Sequence, residues 1–157
     1  MLSRSIVAVL FAFAVVGCRE RIESPGIVPS LVLTDSACAD VGLGATVTSH
    51  LKVILINRTT DRMLIDVLRV REPHAFVELA ALVADDQRRV QARQTLQGPL
   101  SVADRLQARM IGPSAEETFE EDLVSGTYAF VCSRATGQVS VDGKIVAIYL
   151  AGPFKVP

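Results

Sequence analysis

The chain has 157 residues, 50% hydrophobic, 5% aromatic and 21% charged, and its 16 basic and 17 acidic side chains leave a formal net charge of −1. With no basic block and so few aromatics it lacks the footprint of a nucleic-acid binder, and no nucleic-acid partner is expected. No internal repeat or low-complexity segment stands out.

The first segment, MLSRSIVAVLFAFAVVGC, places Arg4 before an apolar run over 6–16 and ends on Gly17 and Cys18, the layout of a signal peptide. The run is shorter than the roughly 20 residues a spanning helix needs. VVGC resembles the lipobox of bacterial lipoproteins, which implies that residues 1–17 are a lipoprotein signal peptide and that Cys18 becomes the acylated first residue. An ordinary secretory signal that ends near a cysteine is the alternative. Two or three acyl chains anchor a protein stably where one holds it only marginally, so the expected partner is a membrane, bound through the N-terminal lipid. Arg19 stands where enteric lipoproteins retained in the inner membrane carry Asp, so the resemblance points to the outer membrane, facing the periplasm. Residues 18–29 are polar and contain Pro25, Gly26 and Pro29, the composition of a tether. One domain is expected over 30–157.

Of three cysteines, lipid would take Cys18 and leave Cys38 and Cys132 as an even pair in an oxidising compartment, where a disulfide is the default and two free thiols the alternative.

Short stretches rich in branched residues follow: SLVLTD, TVTSHLKVILIN, MLIDVLRV, TFEEDLV, TYAFVC and KIVAIYL. They read as strands, with NRTTDR as a tight turn and the Asp-Gly of VDGK as a hairpin reversal. Over 74–96 the pattern changes: Phe76, Leu79, Ala80, Val83 and Val90 approach a 3.6-residue stripe and Asp85 stands four before Arg89, which predicts a helical insertion. The expected fold is an all-β sandwich of about seven strands, with that insertion before the last three. In EETFEEDLV the alternation puts Glu116, Thr118, Glu120 and Asp122 on one face and Phe119 and Leu123 on the other, which reads as a solvated face protecting an edge, with a cation or partner patch as the alternative.

IGPSAEETFEEDLVSGTYAFVC resembles the closing half of a cupredoxin, with GTYAFVC delivering the copper-ligating cysteine at a strand end. LKVILINRTTDRMLIDV is similar to that family's earlier strand pair around an Asn. The resemblance implies a Greek-key β-sandwich with a copper site at one end. A blue-copper site takes two imidazoles, a thiolate and a weak axial thioether. The copper candidates are Cys132, His74 in PHAFVEL, and Met63 where the first histidine would align; Gln138 stands where the second histidine is expected, and no methionine follows it. The family's geometry implies that the TDSACAD loop, with Cys38, lies at the copper-bearing end, so a Cys38–Cys132 bridge would occupy the copper position. No metal and no other cofactor is therefore expected, with copper as the alternative. His50 is expected to be a structural strand residue.

No G-x-S-x-G, glycine-rich phosphate loop, HExxH or EF-hand pattern is present, and no catalytic residue is assigned. The run DDQRRVQAR reads as a solvated helix face, with partner docking as the alternative. The expectation is a non-enzymatic, lipid-anchored envelope protein that binds another envelope protein or has a structural role. Its alternative is a copper-binding, electron-transfer or copper-delivery protein.

Overall fold

The computed structural model describes residues 28–136 and 144–157. The signal segment, Cys18, most of the tether, Gln138 and the Asp-Gly turn lie outside the described residues.

The chain forms eight strands: β1 (Ser30–Leu33), β2 (Cys38–Val41), β3 (His50–Asn57), β4 (Arg62–Val70), β5 (Ala103–Ile111), β6 (Glu116–Asp122), β7 (Gly126–Thr136) and β8 (Lys144–Val156). Helix α1 (Phe76–Gln91) lies between β4 and β5. The strands make two four-stranded sheets, ordered β2-β1-β3-β6 and β5-β4-β7-β8. All pairings within them are antiparallel except β1 with β3. This is an all-β sandwich with a helical insertion.

Alternation sets the inner faces. Leu51, Val53 and Leu55 of β3, Met63, Ile65 and Val67 of β4, and Tyr128, Phe130 and Cys132 of β7 meet in one buried cluster between the sheets. The intervening residues of β4 and β7, including Leu68, Val70, Ala129 and Val131, join Leu79 and Val83 of α1 in a second cluster on the outside of the β7 sheet. The strands covered on both faces thus read as near-continuous apolar runs. β4 pairs with β7 without interruption, while against β5 the register slips between Val67 and Leu68, leaving Leu106 as the extra residue on the edge strand.

Two strands escape the sequence pattern. β5, ADRLQARMI, is a sheet edge exposed over most of its length, so little burial constrains its side chains. β2 is only four residues long. As a result four strands, not three, follow the helix. The helix ends five residues before the expected boundary at 96. There Asp86, buried in the last turns, accepts hydrogen bonds from the backbone N–H groups of Gln97 and Gly98 at 2.7 and 2.8 Å, holding the returning chain.

β6 is the edge of its sheet. Its Glu116, Thr118, Glu120 and Asp122 are exposed, while Phe119 and Leu123 are buried. Opposite them on β3, Lys52 pairs with Glu120 at 2.6 Å and His50 with Asp122 at 2.7 Å. The Lys52 hydrogen bond holds the Glu120 carboxyl below its ordinary range.

Candidate functional site

The two ends of the sandwich differ in chemistry. At one end lie the β1–β2, β3–β4 and β5–β6 connections, and here Cys38 and Cys132 form a disulfide with Cα atoms 6.2 Å apart. Cys132 is fully buried and Cys38 nearly so. Contrary to the expectation that the cysteine ends its strand, β7 continues to Thr136, and Cys132 sits within the sheet between Ile65 and Tyr149.

Polar contacts clamp the loops around this bridge. Arg134 forms ion pairs with Asp35 in the β1–β2 loop and with Asp61 in the β3–β4 turn, the latter at 3.3 Å. Tyr149 donates its hydroxyl to the Asp35 carbonyl at 2.7 Å. Buried Asn57 donates to the Asp61 and Gly112 carbonyls at 2.8 and 2.9 Å and accepts from Thr59. One amide side chain thereby links two turns, the role its place in LINRTTD allows. Arg134 had no motif to announce it, because its partners are distant in sequence.

The copper candidates are dispersed. Met63 is fully buried in the same cluster as Cys132, opposite Arg134. His74 follows the far end of β4: Ile65 faces Cys132, and Val70 lies five residues further on, or roughly 17 Å along the strand at about 3.3 Å per residue. There His74 contacts Glu78 at 2.9 Å. That bond, with a second from the Ala75 N–H, lowers the Glu78 pKa. His50 is exposed beside Asp122. The structure therefore brings neither imidazole to Cys132, and among the described residues no cluster of three His, Cys, Asp or Glu side chains could hold a metal ion.

At the opposite end a groove of about 680 Å³ opens where β4 and β8 end and β7 begins. Its cations are Arg69, Arg71 and Lys155. Arg71 pairs with Asp104 at 2.7 Å. Arg69 donates to the Ser125 carbonyl at 2.8 Å and passes so close to Gly126 that a Cβ there would lie 2.8 Å from its Nε. Among the described residues neither Arg69 nor Lys155 has a carboxylate partner. The acid Glu72 also lines the groove. His74 lines this groove too, but the groove's other residues come from the ends of β4 and β8 and the starts of β5, β7 and α1, and no local sequence pattern brings them together.

No family model matches the chain, and no curated protein matches it. Among solved structures, dithionite-reduced auracyanin from the photosynthetic bacterium Roseiflexus castenholzii is 20% identical, over 79% of this chain and 95% of that one, with a TM-score of 0.37. Native alpha-2-macroglobulin from Escherichia coli, spanning domains NIE-MG1, is 13% identical over 85% of this chain and 62% of that one, with a TM-score of 0.30. Both likenesses are loose, and the fold is read from the strand order itself.

Proposed function

We propose that the chain is a lipid-anchored, non-enzymatic protein of a bacterial cell envelope, held on its membrane through Cys18. Its degenerate cupredoxin-like sandwich serves to dock another envelope protein or to support an envelope assembly. The observation that carries this reading is the buried Cys38–Cys132 disulfide. A thiolate-copper centre needs a free thiolate with imidazoles beside it, and here the sulfur is bonded to another sulfur while His74 and His50 lie at the other end of their strands. The surrounding clamp of Arg134, Asp35 and Asp61 favours a fixed structural end over an exchangeable ligand pocket.

The test has two arms. Thiol titration of the denatured, unreduced protein carrying Cys18→Ser should find no reactive thiol; two would revive the copper reading. Cys18→Ser should also abolish lipid labelling and release the protein from membranes, and unchanged retention would refute the anchor.

A further inference from the structure

The groove of about 680 Å³ takes lining residues from every strand of its sheet: Asp104 at the start of β5, Arg69 at the end of β4 with Arg71 just past it, Thr127 at the start of β7 and Lys155 near the end of β8. These strands lie side by side in the order β5-β4-β7-β8. At about 4.8 Å per strand spacing the groove crosses roughly 14 Å of sheet end, the span of about four residues of extended chain. Its volume falls within the roughly 300–1,000 Å³ of ligand pockets. An inorganic ion would leave most of it empty.

The charges lining it are not all spent on one another. Arg71 and Asp104 neutralise each other at 2.7 Å, which leaves Arg69 and Lys155 against Glu72. With His74 neutral, the lining carries one positive charge in excess. Arg69 is also held in place before any ligand arrives. The one hydrogen bond it makes among the described residues is to the Ser125 carbonyl, at 2.8 Å, and Gly126 leaves it room, since a Cβ there would lie 2.8 Å from its Nε. That bond uses one of five N–H donors, so a fixed guanidinium keeps donors for an incoming acceptor and loses little side-chain freedom on binding. Val70, Phe76 and Pro153 add apolar surface to the same groove.

We infer that this groove is where a partner protein docks, and that it takes an extended segment of about four residues carrying a carboxylate flanked by apolar side chains. The carboxylate lies on Arg69, Lys155 supplies a second charge contact, and the flanking side chains cover Phe76 and Pro153. The inference deepens the docking reading of this chain and rests on it, independently of the lipid anchor. Gly126, at the head of GTYAFVC, then has a role unconnected with metal: it clears space for the arginine that receives the ligand.

The probe is the capped tetrapeptide acetyl-Val-Glu-Val-Glu-amide, and its twin carries Gln in place of both Glu residues. Each is titrated to about 1 mM into the isotope-labelled full chain in neutral detergent, and backbone amide shifts are followed by NMR. The Glu peptide should shift the amides of Gly126, Thr127 and Lys155, and the Gln twin should not. Arg69→Gln and Lys155→Gln should each weaken binding at least about fivefold. Lys155 is exposed, so its variant keeps the test open if Arg69→Gln fails to fold. Arg62→Gln makes the same charge change at an exposed position of the disulfide end and should leave binding unchanged. Equal binding of the two peptides, or shifts that miss the groove, overturns the assignment. Free succinate binding as tightly as the Glu peptide also overturns it, and makes the groove a pocket for small acids. No binding at all overturns the groove as the docking site and leaves the docking reading itself, which falls instead if the thiol titration finds two reactive thiols.

Discussion

Cys38 and Cys132 are 94 residues apart in sequence, and their bridge ties the edge strand of one sheet to an interior strand of the other. The connection runs through the core cluster itself, with Met63, Ile65 and Phe130 in the same cluster. In the chain-entropy account a closed loop of this size restricts the unfolded chain by about 4–5 kcal/mol.

Replacing both cysteines by Ala should therefore lower the melting midpoint by more than about 10 °C at this chain length, read by thermal circular dichroism. A fall of a degree or two would contradict the stabilising role.

Copper is the second test. Oxidised protein given stoichiometric Cu(II) and then freed of loose metal should retain none and show no intense visible thiolate-to-copper band, because Cys132 is bridged and no imidazole stands beside it. A coloured centre with about one copper per chain would make electron transfer or copper delivery the leading function.

Asp66 is nearly buried in β4, with Arg105 of the edge strand at 2.9 Å. Burial raises its pKa, and the Arg105 charge and hydrogen bond oppose that rise. Arg105→Met removes the opposition. It should cost about 1–2 kcal/mol at neutral pH, less than a fully buried pair because Arg105 is half exposed. Since the folded state then holds its proton to higher pH than the unfolded chain, the loss should grow as pH rises from the ordinary Asp range through the raised folded value, and shrink below it. Urea denaturation of the variant across that range reads the sign, and a pH-independent loss would show that Asp66 is not the group responsible.

Gly152 has φ of 117° and lies where β8 slips register against β7. A Cβ there would meet the Tyr128 carbonyl oxygen and the Ala129 Cα at 3.4 Å. Gly152→Ala should destabilise the domain by about 1–3 kcal/mol, whereas Gly98→Ala, with φ of 78° but open space around it, should cost less. Equal losses would remove the packing argument.

Arg134→Met should release the β1–β2 and β3–β4 loops together, since one guanidinium holds Asp35 and Asp61. Faster amide exchange at both loops is expected; a change confined to one would show that the clamp is not shared.

Where a strand's burial matches its position in a sheet, composition alone locates it. β3, β4, β7 and β8 are written as branched and aromatic runs because the sandwich core and the helix cover them, and α1 is written as a 3.6-residue stripe because one face packs on the sheet. The cysteine count points to Cys38 and Cys132 only through the lipobox reading of Cys18, and it is the structure that shows this pair bridged. Tertiary structure alone decides the rest. β5 is a strand by virtue of hydrogen bonding to β4 along a solvated edge, a partnership that leaves almost no apolar pattern in its sequence. The groove is assembled from segments as distant in sequence as Arg69 and Lys155, because alternating strand directions return distant segments to the same end of the sandwich. The same directions carry His74 away from Cys132 despite its family-like Pro-His context, since β4 spans the length of the sheet between the level of the disulfide and the turn that holds the imidazole.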